Sequence, residues 1–422
     1  MATLPGAGTG AGTGSIFHHN LQRLARNDYH LTELSFSGVS VGPDEATALA
    51  AALRNNTNLD ELNLPYGGSN GRMGDGGAMA LGTSLRQNVR NGIGIEGAVA
   101  LAVALQHNTA LTRLYLKFND IGSEGATAIA AALRHNGMLT VLDLSGCNIG
   151  AEGVTALASA LCVNSTLAEL WLDHNHSGSA GAIALAGALR VNGTLARIAL
   201  KGNGVGAEGA LALADAVSGN TSLRSLSLEE NDSIGRDAVV AIAAALCHNT
   251  TLVQLYLDGS DVSSEGAAAL ASALRQNGTL KYMSLRNNRI GSEGAAALGE
   301  ALGHNSGLTV LDLWGNNIGN AAAAAMTNGL RANTTLIDLN LAGNDIDDDG
   351  GAASYEIREL VSINMEAQGL AFTVKKSVSP IMNALPVAAM PNLLARVGKL
   401  PARYSLTTTF RIVKELSLSM GR

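Results

Sequence analysis

Two hydrophobic periods alternate along this chain. A stretch of the form L-x-x-L-x-L is followed by a polar turn, and then by apolar residues spaced i, i+3, i+4, i+7. The first pattern is that of a short strand with one buried face, the second that of a helix with one buried face. The pair recurs. LTRLYLKFNDIGSEGATAIAAALRHNGM (111–138), LTVLDLSGCNIGAEGVTALASALCVNST (139–166) and LKYMSLRNNRIGSEGAAALGEALGHNSG (280–307) align at a period of 28 residues. Units begin at Leu31, Leu59, Leu111, Leu139, Leu167, Leu195, Leu223, Leu252, Leu280, Leu308 and Leu336.

Counting the first Leu as position 1, Leu recurs at positions 4 and 6, Asn usually stands at 9, Ile or Val at 11 and Gly at 12. The position-9 Asn is placed to hydrogen-bond neighbouring backbone where the chain leaves the strand, as an asparagine ladder does in stacked repeats. Cys147 takes that place in one unit. Position-12 Gly permits the turn, and Glu at position 14 (Glu96, Glu124, Glu152, Glu208, Glu265, Glu293) suits a helix N-terminus. Small residues at 15, 18 and 22 let the next helix approach, and a closing Asn such as Asn136 or Asn164 suits a helix C-terminal position.

One strand and one helix cannot bury their own faces, but stacked copies can. Strands stack at ~4.8 Å and helices at ~8–10 Å, so the stack must curve with its sheet inside. The expected fold class is α/β, a curved repeat solenoid with a parallel β-sheet on the concave face and α-helices on the convex face. The repeat resembles the ribonuclease-inhibitor type of leucine-rich repeat, also used by the sensor regions of NOD-like receptors and by Ran GTPase-activating proteins. The resemblance covers roughly residues 31–351 and implies a horseshoe-shaped scaffold. It names no ligand.

The repeat is irregular at 67–98. GGSNGRMGDGG adds about four residues, and Asn88 is followed almost at once by the next turn, GIGIEGA, with no L-x-x-L-x-L between. This reads as two helices joined without a strand, interrupting the sheet. Residues 1–14 read as a flexible Gly-rich N-terminus, 15–30 as a capping half-repeat and 352–364 as a C-terminal capping helix. Residues 365–422 read as a basic, partly disordered tail, with eight basic residues against two acidic.

Aromatic residues make up only 3% of the chain, so the core must be aliphatic. Eight lie between 31 and 351, and only Phe36 occupies a core position. Tyr66, Tyr115, Phe118, Trp171, Tyr256, Tyr282 and Trp314 all fall at positions 3, 5, 7 or 8, which point outward from the sheet. Large rigid rings on an exposed ridge are what protein interfaces enrich. The expected partner-binding residues are Tyr115, Lys117, Phe118, Trp171, Asp173, His174, Tyr256, Asp258, Tyr282, Arg286 and Trp314. The competing reading has the rings stack across strands and the charges pair along the stack, as Asp173–Lys201–Glu229 and Asp258–Arg286.

Net charge is −7 and the outward charges are mixed, which disfavours a nucleic-acid groove. No apolar run reaches the ~18 residues of a membrane helix. Three cysteines and an N-terminus without a signal-peptide pattern point to the cytoplasm. No cofactor or metal is expected. Gly92-Ile-Gly94-Ile-Glu-Gly97 and Gly204-Val-Gly206-Ala-Glu-Gly209 match G-x-G-x-x-G, but both are repeat turns. Asp345-Ile-Asp347-Asp-Asp349-Gly350 through Glu356 matches a calcium loop, yet LIDLNLAGN before it is a strand and not a helix. His107, His135, His248 and His304 share one position, a repeat apart and too far from each other to hold one metal. The leading reading is a non-enzymatic protein-binding scaffold that engages a protein partner through its concave face. The resemblance offers two alternatives: a Ran-directed GTPase activator, with Arg72 supplying a charge, or the sensing part of a NOD-like-receptor-type system. The second would lack its nucleotide-binding module, since no G-x-x-x-x-G-K-[ST] is present.

Overall fold

A computed structural model of the chain describes residues 13–36, 41, 43–64, 93–346, 353 and 355–368. They fall in two compact units, Met1–Asp261 and Val262–Arg422. The first unit runs α1 (Thr13–Ala25), β1 (Glu33–Ser35), α2 (Pro43–Leu53), β2 (Glu61–Asn63), α3 (Ile95–Leu105), β3 (Arg113–Tyr115), α4 (Gly122–Leu133) and β4 (Val141–Asp143). It continues α5 (Gly150–Leu161), β5 (Glu169–Trp171), α6 (Gly178–Leu189), β6 (Arg197–Ala199), α7 (Ala207–Gly219), β7 (Ser225–Ser227), α8 (Gly235–His248) and β8 (Gln254–Tyr256). Its strands pair in chain order, all parallel, each residue opposite the same repeat position of the next strand, as in Leu114↔Leu142 and Leu142↔Leu170.

The second unit holds α9 (Ser264–Leu274), β9 (Tyr282–Ser284), α10 (Gly291–Leu302), β10 (Val310–Asp312), α11 (Asn320–Leu330) and β11 (Asp338–Asn340), then helical residues 355–368. Strands β9, β10 and β11 are parallel neighbours in the same register. Strands stack more closely than helices, so each unit taken alone is a curved α/β solenoid with its strands on the concave side. Among the described residues no helix is long and apolar enough to cross a membrane.

The core lies between strands and helices. In one repeat it takes Leu139, Leu142 and Leu144 from around β4 and Val154, Leu157 and Leu161 from α5, all at most 1% exposed. Among the described residues aromatics enter it only at the N-terminal end, where Phe17 of α1 meets Phe36 with ring centroids 5.1 Å apart. Several helices approach their neighbours closely because a glycine stands at position 15, as at Gly125, Gly153, Gly181, Gly209 and Gly294. A Cβ on Gly153 would lie 2.9 Å from Ala126 Cβ of the preceding helix.

Two asparagine ladders satisfy the buried backbone between repeats, as buried polar groups require. At position 9, Asn175 Nδ2 donates to the Leu144 carbonyl at 2.8 Å, and its Oδ1 accepts from the Cys147 amide at 2.9 Å. Cys147 fills its own rung by donating from Sγ to the Leu116 carbonyl at 3.1 Å. The closing asparagines form the second ladder rather than simple helix ends. Asn164 Nδ2 donates to the carbonyls of Leu133 and Asn136 at 2.8 and 3.1 Å, while Oδ1 accepts from the Leu167 amide at 2.8 Å. Asn364 continues this ladder from the helical residues 355–368, donating to the carbonyls of Asn333 and Leu336.

The irregularity near 67–98 corrects the sequence reading. The sheet is not interrupted there: β2 pairs directly with β3, Glu61 opposite Arg113. The Thr112 amide donates to the Asp60 carbonyl across a separation of 52 residues, where the equivalent bond from Thr140 to Thr112 spans 28. Asn108 of the closing ladder likewise reaches back to the carbonyls of Leu53 and Asn56 at 2.8 and 3.0 Å. So the expected break in the sheet is absent, while the expected helix ahead of Asn88 lies outside the described residues. One repeat has its strand at β2 and its helix at α3, and carries 24 extra residues (52 less 28) between them. Loop closure grows costlier only slowly with length, so the stacking contacts set the register regardless of the insert. Residues 65–92 lie outside the described residues, as do Tyr66, Arg72, most of 1–14 and the tail from 369.

Candidate partner-binding face

Strand residues alternate faces, so positions 3 and 5 of each repeat leave the sheet on the side opposite the core. In the first unit the register lines up position 5 as a column: Tyr115, Asp143, Trp171, Ala199, Ser227 and Tyr256. Tyr115, Trp171 and Tyr256 are half-buried, and Lys117, Phe118 and His174 are exposed. None of these rings is in the core.

The chain's own cations partly line this face. Arg197 of β6 lies over the Trp171 ring, 5.2 Å from its centroid, with Nε 3.4 Å from Glu169 Oε2 and Nη1 donating to Ser225 Oγ at 3.2 Å. Small residues at Ala199, Ser225 and Ser227 leave room for that reach, and Arg197 also hydrogen-bonds Tyr256. Lys201 directs its ammonium to Glu230 at 2.9 Å and lies 3.9 Å from Glu229, while Asp173 Oδ1 accepts from the Lys201 backbone amide at 2.9 Å. The expected row Asp173–Lys201–Glu229 is thus joined through one backbone bond and one long ion pair.

The carboxylates crowd one another. Burial raises Asp173, and nearby Asp143 adds to the effect. Burial, with Asp258 close by, pushes Glu229 up to about 7 despite Lys201. The tight partner of the ammonium is Glu230, which explains why Lys201 does not restore Glu229. Burial is the largest single influence on Lys201 and opposes its charge, but the Glu230 hydrogen bond and the charges of Glu230, Glu229 and Asp173 together raise the ammonium. Burial also raises the hydroxyls of Tyr115 and Tyr256.

Position 8 has a backbone rule of its own. Phe118, His174 and Glu230 hold φ of +61°, +54° and +54°, and Gly146, Gly202 and Gly259 hold +66°, +62° and +59° at the same position of intervening repeats. Bulky residue and glycine alternate, and the bulky side chain covers the next glycine. A Cβ on Gly146 would fall 2.5 Å from Phe118 Cδ1. Phe118 is therefore both a cover for Gly146 and 38% exposed.

On the second unit's face, Tyr282 is half-buried and Trp314 is 40% exposed. Arg286 Nε donates to Asp312 Oδ2 at 2.6 Å, and Asp312 Oδ1 accepts from the Trp314 amide at 3.1 Å. The Trp314 ring lies over Gly343, whose Cβ, if present, would meet Nε1 at 2.9 Å. The calcium-like segment follows β11, a strand, and its Glu356 accepts from Arg331 Nε and Nη2 at 2.7 and 3.0 Å. Among the described residues no three His, Cys, Asp or Glu side chains gather to hold a metal.

Asp143, Arg197 and Asp312 were not singled out from sequence, yet each lies beside an aromatic of the face. Their signal was present: reading position 3 or 5 down the aligned repeats gives each strand residue its neighbours. The family described as Leucine Rich repeat matches at 107–130, 135–158, 191–214, 219–243, 248–271, 276–299, 304–326 and 332–353. Those eight stretches are leucine-rich repeats, and the fold of each unit is that of a leucine-rich-repeat solenoid. No curated protein matches it. Among solved structures it is similar to leiomodin-1 actin-binding site 2, at 23% identity and TM-score 0.37 over 41% of this chain and 97% of that one. It is also similar to the tropomodulin C-terminal domain of Caenorhabditis elegans, at 14% identity and TM-score 0.34 over 37% and 96%.

Proposed function

We propose that this chain is a non-enzymatic protein-binding scaffold whose strand faces engage a protein partner. The observation that carries the reading is the placement of its rings. Tyr115, Trp171, Tyr256, Tyr282 and Trp314 stand on the strand faces, outside the core, where the repeat imposes no residue type. Interface hot spots favour such aromatics beside arginine, as Trp171 beside Arg197. The neighbouring Lys117, Asp173, His174, Asp258 and Arg286 set which partner fits. The 28-residue period and the full helix in each repeat support the ribonuclease-inhibitor type. Three unpaired cysteines support a reducing compartment such as the cytoplasm.

The test is quantitative affinity capture from the native cell type with wild type, Trp171→Ala, Trp314→Ala and the double variant. Each is first checked for an unchanged melting temperature. Proteins captured by wild type should be depleted ~10-fold or more by the double variant, as removal of two hot-spot rings implies. Equal capture by all four chains would overturn the reading.

A further inference from the structure

The strand face of the first unit, at positions 3 and 5, brings carboxylates and rings together in two related arrangements. On β5 and β6, a guanidinium is held between a carboxylate and a ring: Arg197 sits by Glu169 and over Trp171. On β3, β4 and β5, a carboxylate stands between two rings: Asp143 lies opposite Tyr115 on one side and Trp171 on the other. Neighbouring strands are ~4.8 Å apart, so the two aromatic residues are rooted ~10 Å apart with the aspartate midway. That gap suits a planar cation flanked by π-faces. Asp143 Oδ1 accepts from the Ser145 amide at 2.9 Å, and Asp143 makes no ion pair among the described residues.

Charge on the rest of the face favours the same guest. At positions 3, 5, 7 and 8 of the described repeats in this unit, acidic residues outnumber basic ones eight to four. Three of the four bases are already engaged by acids of the chain: Arg113 by Asp60 and Glu61, Arg197 by Glu169, and Lys201 by Glu230. Asp173, one strand beyond Asp143, spends one oxygen on a backbone amide and adds a second anion beside the first.

Resting on the scaffold reading, we infer that the strand face of the first unit takes an extended, arginine-bearing segment of the protein partner. One guanidinium is seated on the Asp143 carboxylate between Tyr115 and Trp171. Arginine rather than lysine is the guest because a guanidinium is planar, stacks on aromatic faces and meets a carboxylate with paired donors. The contact with Arg197 shows that the Trp171 ring accepts that geometry.

The experiment measures fluorescence anisotropy of labelled peptides binding to the full chain. Three peptides of about 12 residues, long enough to cross eight strands at ~4.8 Å, carry Arg, Lys or Glu at every third position in a Gly/Ser background. The arginine peptide should bind, more weakly as salt rises, with a Kd raised ~10-fold by Asp143→Asn and by Trp171→Leu. Asp143→Asn keeps an oxygen for the Ser145 amide, so it preserves the strand end. Asp215→Asn, on helix α7 and paired with Arg190, should bind as wild type does. Binding of the lysine peptide as tight as that of the arginine peptide would overturn the inference. So would wild-type affinity in Asp143→Asn, or no preference over the glutamate peptide. If partner capture needs Trp171 while the arginine peptide fails, the scaffold reading stands and this inference falls. If capture survives loss of both tryptophans, the scaffold reading falls whichever peptide binds.

Discussion

Asn175 and Glu229 show how much one side chain decides in a stack of identical units. Asn175 is fully buried and joins two successive repeats, donating to Leu144 of the preceding one and Leu172 of its own and accepting from Cys147. Asn175→Ala strands buried donors and acceptors in these two repeats. It should cost about 2–3 kcal/mol in urea unfolding, against under ~0.5 kcal/mol for an exposed control of ordinary helical backbone such as Gln106→Ala. Glu229 acts in the opposite direction. Folding raises its carboxyl from 4.5 to about 7 through burial and the nearby Asp258, with Asp173 and Glu230 adding and Lys201 opposing. Between those values the folded chain binds the proton more tightly than the unfolded one. Stability therefore falls as pH rises through that window, and the loss is complete above about 7. Glu229→Gln should raise stability by about 1–3 kcal/mol at mildly alkaline pH and leave it unchanged near the ordinary carboxylate value, read from melting temperatures at the two pH values.

At the scale of the element, helix spacing is set by single glycines. Gly153 at the start of α5 has Ala126 Cβ and Ile149 Cβ where its own Cβ would be, 2.9 and 3.1 Å away. Gly153→Ala must push α4 and α5 apart and should destabilise by about 1–3 kcal/mol, whereas Gly137→Ala, with nothing within 4 Å, should be near neutral in the same denaturation series. The sequence made the elements themselves legible, because period two at Leu114 and Leu116 and period three to four through Ala126, Ile129, Ala130 and Leu133 each fit one kind of backbone. The position-9 ladder was legible for the same reason: a buried polar residue recurring at one place must have a recurring partner. The role of the closing asparagines was not. A helix end and an inter-repeat bridge ask for the same residue, and only the bonds from Asn164 to Leu133 and Asn136 tell them apart. The left-handed backbone at Phe118, His174 and Glu230 was hidden because alternation with glycine has twice the period of the repeat.

At the scale of the whole molecule, the sequence separated strand face from core but did not show which face residues serve the stack. Trp171 is engaged by Arg197, Trp314 lies on Gly343 and Arg286 is taken by Asp312. Each of these partners sits one repeat away at a different position, beyond what spacing within a repeat reveals. The irregular repeat was misread on similar grounds. Counting along the chain treats an insertion and a deletion alike when the intervening letters still resemble a repeat, whereas the pairing of Glu61 with Arg113 does not. That insertion has a consequence for how such a chain can change over generations. The junction between β2 and α3 admits 24 additional residues while the rungs on either side keep their bonds. That strand-to-helix corner is thus a place where new polypeptide can be accommodated without rebuilding the frame on either side.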